Sequence, residues 1–171
     1  VQKTVLIGGI VALASIFHLN NASDYAGIWK DQLDFYWQLA WRAPAIEPGT
    51  AILGENELFP NQGSFSTSAA INLLYPQDAG RQRLAYWVYS LQPRFAIDPS
   101  DSPLGIPLRT QFRTLTFEGV TGDSLVIYYD PNRANCLWTL GPDDVLNPDI
   151  PDLTRRMLPA SSLDRISAQA V

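Results

Sequence analysis

The run Val5 to Leu19, VLIGGIVALASIFHL, constrains this chain more than any other stretch. It holds no charged residue, so any fold must take it out of water. Two readings compete. A helix that crosses a bilayer needs about 20 apolar residues, and this run is shorter. A secretory signal needs a small-residue cleavage site, which is missing, and the chain opens on Val1 rather than Met. A strand covered on both faces reads as one continuous apolar run, as parallel strands of α/β folds do. The run is therefore read as a buried strand over Thr4 to Leu13, with a membrane helix as the competing reading. The opening on Val1 also gives the expectation of a piece cut from a longer chain. His18 ends the run and is the only histidine. No His–His metal pair exists, and a packed or half-exposed imidazole is expected.

The next stretch, Asp24 to Thr50, reads as a helix followed by a turn. Asn21 and Ser23 are N-cap candidates, because a short side-chain oxygen can accept a free amide of the first turn. Tyr25, Trp29, Leu33, Tyr36 with Trp37, and Ala40 recur at helical spacing, while Lys30, Asp31 and Asp34 fall mainly on the other side. Ala43-Pro44 ends the helix near Arg42 or Ala43, since the residue before a proline avoids the α region. The aromatic stripe could stack a ligand; the expected role is core packing against a sheet. Glu47-Pro48-Gly49 is a turn, and Thr50 to Leu53 is a short strand. Strand, helix and strand in this order predict a parallel right-handed crossover.

Ligands of open α/β sheets sit beyond the carboxyl ends of strands. The residues there are Gly54, Glu55, Asn56 and Glu57. Glu55, Asn56 and Glu57 are thus the best-placed polar residues, with a solvated loop as the plain alternative. Glu55 and Glu57 are not read as an acid pair. Arg42 joins them as a candidate, because its planar guanidinium suits a carboxylate or phosphate; pairing with Glu47 is the structural alternative.

No phosphate loop, dinucleotide fingerprint, zinc-ligand set or nucleophile elbow is present. Asp143, Asp144, Asp149 and Asp152 lack the spacing of a calcium loop, and neither a metal nor a cofactor is expected. Cys136 is the single cysteine, beside Leu137 and Trp138, and is expected to be buried and inert. Net charge is −5, with Lys3 and Lys30 the only lysines. Without a basic patch, a nucleic-acid partner is excluded.

A chain of 171 residues fits one domain with a real core. Most of its 13 prolines and 11 glycines follow Ala43, which predicts many turns. Ser64 or Ser66 should cap a helix that runs to Tyr75 and stops at Pro76. Leu84 to Leu91, Arg109 to Glu118, Ser124 to Tyr129 and Asn135 to Leu140 read as strands, with a hairpin turn at Val120 to Asp123. Pro99 to Pro107 and Gly141 to Pro151 read as loops. Residues 153–171 read as a weakly ordered or helical tail, broken at Pro159. The predicted fold is a single α/β domain over residues 1–171. Its mixed sheet has a parallel N-terminal strand–helix–strand unit and antiparallel strands in the second half.

The segments NNASDYAGIWKDQ, FYWQLAWRAP, EPGT and AIL, between Asn20 and Leu53, resemble the start of a soluble domain in large polytopic bacterial membrane proteins. These are glycosyltransferase-like proteins of the multi-spanning, lipid-linked-sugar type. FPNQGSFSTSAAINLLYP and YYDPNRANCLW continue the resemblance over most of the chain. It implies an extracytoplasmic location and a role beside a membrane-embedded site. It carries over no catalytic residue, because the acidic residues of those transferases lie in loops of the membrane portion. The first functional expectation is a non-catalytic domain that binds or positions a glycan, a lipid-linked sugar or a protein partner. The membrane portion of the same polypeptide, or a membrane partner, is its expected neighbour. The alternatives are a small-molecule enzyme with its site at Glu55, Asn56 and Glu57, and a subunit of a membrane-associated or extracellular assembly.

Overall fold

The computed structural model describes residues 2–59, 62–77, 80, 82–90, 104–129 and 136–167. Its first element is the largest correction to the sequence reading. Thr4 to Leu13 is not a strand: one helix, α1, runs unbroken over Gln2–Arg42. Asn21 and Ser23 lie inside it and cap nothing. Val5, Leu6, Ile10, Leu13 and Leu19 are all well exposed, so the run is not interior either. A helix that is apolar all round belongs in a core or a bilayer, and α1 is long and apolar enough to cross one by length and composition. The uncharged stretch from Thr4 to Ser23 spans about 30 Å at 1.5 Å per residue. The polar ends Asn20 to Ser23 had hidden this length in the sequence.

Only the second half of α1 joins the domain, through buried Gln32, Phe35 and Leu39. Leu39 carries its O to the Ala43 amide at 2.8 Å, and Pro44 ends the helix where the sequence predicted. Two-residue strand β1 (Ala45–Ile46) follows, then the turn at Gly49, whose φ of 83° suits glycine. Strand β2 (Thr50–Gly54) is buried along its whole length.

Helix α2 (Ser64–Leu74) is the predicted helix, but it starts earlier than a Ser64 or Ser66 cap would allow: its N-cap is Gly63 and no serine side chain caps it. Strands β3 (Arg83–Leu84), β4 (Tyr86–Ser90), β5 (Pro107–Phe112), β6 (Leu115–Val120), β7 (Ser124–Tyr129) and β8 (Leu137–Leu140) follow. The main sheet has the order β4-β2-β7-β8, with β2 parallel to both neighbours and β8 antiparallel to β7. The chain is thus a single α/β domain with a mixed sheet. Its parallel strand–helix–strand unit is β2-α2-β4, one step later in the chain than the predicted one.

Two further readings are corrected. Arg109 to Glu118 is a hairpin, β5 against β6, turning at Arg113 with φ 56°. A left-handed arginine gives no sequence signal comparable to a glycine's. Val120 to Asp123 is a real turn, with the Asp123 amide on the Val120 O at 3.1 Å. It joins two different sheets rather than a hairpin, because β6 belongs to the smaller sheet β3-β6-β5.

The main sheet separates two cores. Ile52, Tyr86, Val88, Leu125, Ile127 and Leu137 face α1 and α2, meeting Phe35, Leu39 and Ile71. On the other face Ala51, Leu53, Trp87 and Val126 meet Phe117 of the small sheet and Met157 and Leu158. Helix α3 (Asp152–Met157) supplies Met157 and fully buried Thr154; Pro159 follows in a 3-10 turn. Strand β9 (Ile166–Ser167) then pairs with β1. Of the segment expected as a tail, residues 153–167 are described, and there α3 ends ahead of Pro159, and Met157 and Leu158 pack into the second core.

Candidate functional site

Helix side chains cover the outer edge of β4. Asn72 of α2 accepts the Ala85 and Tyr86 amides on Oδ1 at 2.8 and 3.2 Å, and donates from Nδ2 to the Tyr86 O at 2.8 Å. Ser68 accepts the Val88 amide at 2.8 Å and donates to the Ser64 O at 2.6 Å. An exposed edge would invite pairing with another chain; here a helix occupies it. On the opposite edge, Gln38 of α1 accepts the Leu137 amide of β8 at 2.8 Å.

The junction between α1 and the sheet is held from three sides. Tyr75 donates to the Ala43 O at 2.7 Å, and Tyr86 donates to the Ile46 O at 2.6 Å. Arg165 pairs with Glu47 at 2.8 Å, donates to the Pro48 O at 2.7 Å, and reaches the Thr50 hydroxyl at 3.1 Å. Tyr129 of β7 donates to the Asp31 O inside α1 at 3.2 Å. Its ring and that of Phe59 both meet Phe35 edge-on. Burial raises the tyrosine hydroxyls above their ordinary value. It pushes Tyr36 up to about 12 and Tyr129 up to about 12, the latter helped by Asp31 and Asp34. Tyr75 is raised further, by burial and then by Tyr86; Tyr86 is raised by burial.

The four candidate site residues do not converge. Glu55 follows β2 on the side of the second core, where its carboxylate accepts the Thr154 hydroxyl at 2.8 Å. Asn56 and Glu57 are exposed. Arg42 is exposed at the end of α1 and lines a shallow cleft with Leu137, Trp138 and Thr139 of β8. Thus Glu55 and Arg42 belong to opposite layers. Residues 91–103 and 130–135 lie outside the described residues. The acidic segment is engaged locally: Asp144 accepts the Gly141 amide, and Asp152 pairs with Arg155. Cys136 is exposed rather than buried.

The feature that sequence reading placed wrongly is the exposed side of α1. Tyr25, Trp29, Leu33, Trp37 and Trp41 remain between half and three-quarters exposed. Helical spacing was recognised for these residues, but not which side of the helix meets the sheet. The buried triplet Gln32, Phe35 and Leu39 was the signal: it too has 3–4 spacing, and it excludes the larger tryptophans. Compared with protein-family models, curated proteins and solved structures, the chain matches none.

Proposed function

We propose that this chain is a membrane-anchored, extracytoplasmic domain that positions a partner beside a membrane-embedded site and does not itself perform the chemistry. The observation that carries the reading is the first half of α1. It offers an uncharged apolar cylinder with no covering residue among the described residues, and such a surface is stable in hydrocarbon and costly in water. Tyr25 and Trp29 come just after the uncharged stretch, at the depth where amphipathic rings favour the headgroup layer.

The locked junction supports a positioning role. Tyr75, Tyr86 and Arg165 fix the chain just after α1, so the domain holds one orientation relative to the anchor. The partner classes are a glycan, a lipid-linked sugar or a protein. The extracytoplasmic side rests on the resemblance to domains of multi-spanning, glycosyltransferase-like membrane proteins.

Expression of the chain in a bacterium, with a reporter active only outside the cytoplasm fused after Val171, tests the reading. Reporter activity in a membrane fraction that resists alkaline carbonate is the expected result. A carbonate-soluble chain, or a reporter active only in its cytoplasmic counterpart assay, contradicts it.

A further inference from the structure

We infer that the carboxyl edge of the main sheet, with exposed Asn56 and Glu57, is the surface by which the domain faces the bilayer, and that its partner is the zwitterionic phospholipid headgroup layer. The direction of the strands against α1 carries this. Tyr86 opens β4 and donates to the Ile46 O, past the carboxyl end of α1. Tyr129 closes β7 and donates to the Asp31 O, well before that end. Phe59, shortly after β2, meets Phe35 with 5.3 Å between ring centroids. Because β2 is parallel to both neighbours, the carboxyl ends of β2, β4 and β7 all point towards the uncharged half of α1. β8 runs the other way: its first residue, Leu137, meets Gln38, and Trp138 and Thr139 lie beside Arg42. The β5–β6 hairpin is aimed like β2. Gly119, near the end of β6, packs against the Gly49 carbonyl just before β2, while Thr110 of β5 meets the Tyr89 hydroxyl at 2.7 Å near the end of β4. The turn at Arg113 therefore stands on the carboxyl side.

Distance along the helix selects the partner. Asp31 lies about 12 Å and Phe35 about 18 Å beyond Ser23, at 1.5 Å per residue. The headgroup layer occupies roughly 5–7 Å of that length. The strand ends thus stand on the order of 10 Å from the lipid surface, and Asn56 and Glu57 follow directly after β2 at that edge. Lys30 and Arg113 stand at this end together with Asp31, Asp34 and Glu57, so charges of both signs meet the lipid. A surface built for anionic lipid carries clustered lysine and arginine; here the two signs are interspersed, which fits a zwitterionic layer. The amino ends of the strands, with Asp123 and Glu47, face away from the bilayer.

The inference rests on the membrane reading of α1, and one experiment separates the two. The full chain, with Cys136→Ser to remove the exposed native thiol, is placed in phosphatidylcholine vesicles. Single cysteines Asn56→Cys and Glu57→Cys mark the carboxyl edge, Asp123→Cys marks the exposed turn before β7, and Leu13→Cys marks the uncharged half of α1. Each carries a small fluorophore. Phosphatidylcholine with a nitroxide on the headgroup, present in both leaflets, is the quencher for the first three positions; a nitroxide on the acyl chain is the quencher for Leu13→Cys. At about 3.3 Å per strand residue Asp123 lies roughly 20 Å farther from the lipid than Tyr129, so quenching roughly threefold stronger at Asn56→Cys and Glu57→Cys than at Asp123→Cys is expected. With Leu13→Cys quenched, equal quenching at both ends, stronger quenching at Asp123→Cys, or none at either end overturns the inference and leaves the membrane reading standing. So does quenching at the carboxyl edge that appears only after anionic phosphatidylglycerol is mixed in. An unquenched Leu13→Cys overturns the membrane reading, and the inference falls with it.

Discussion

Asn72 does the most for this fold with one side chain. It acts as strand partner to the Ala85 and Tyr86 amides and to the Tyr86 carbonyl. Asn72→Ala leaves those groups without partners, and each unsatisfied buried group costs about 1–3 kcal/mol. A drop of about 2–4 kcal/mol in denaturant unfolding is expected; a change below about 0.5 kcal/mol would show that water replaces the amide. Phe35→Ala removes the ring on which Phe59 and Tyr129 meet, and should cost about 3–5 kcal/mol. Gly119 tests close approach: a Cβ there would sit 2.6 Å from the Gly49 carbonyl oxygen. Gly119→Ala must shift backbone and should lower stability by about 1–3 kcal/mol. The tyrosines predict a pH dependence of definite sign. Tyr36 and Tyr129 have folded values near 12, above the ordinary 10. Their contribution is complete below pH 10 and is lost as pH rises towards 12. Thermal unfolding from about pH 8 to about pH 12 should show the fall, and Tyr129→Phe should reduce it.

At the level of elements, the sequence was legible where local chemistry decides. β2, α2, β4, β7 and β8 came out near their true bounds, because branched and aromatic runs and Pro76 mark them. The parallel unit was foreseen in kind, but assembled from the wrong members. The reason is α1: an apolar run of moderate length is strand or helix by periodicity alone, and its helix was not suspected of continuing through Asn20 to Ser23. Arg113 hid the β5–β6 turn for a related reason, since a turn at a non-glycine residue with positive φ has no marker in sequence. For the candidate site, the position of Glu55 at the end of a central strand was legible; its engagement by Thr154, 99 residues later, was not. The junction makes its own prediction. Arg165→Gln should increase amide exchange in Ala45–Ile46 and at Gly49 while leaving α2 and β4 protected, because the guanidinium bridges Glu47, Pro48 and Thr50. Uniform loosening of the whole domain would contradict the assignment.

For the whole molecule, the arrangement is a domain with two cores, carried on a helix of which one half belongs to it and the other half does not. Cysteine accessibility along α1 tests this directly. In vesicles, with Cys136→Ser as background, single cysteines replacing Leu6, Ile10, Leu13, Phe17, Asp24, Lys30 and Asp34 are exposed to a membrane-impermeant maleimide. Leu6, Ile10, Leu13 and Phe17 should resist labelling until detergent is added, and Asp24, Lys30 and Asp34 should label at once. Equal and rapid labelling at all seven positions would mean that α1 stands wholly in water, and the membrane-anchored account would be wrong.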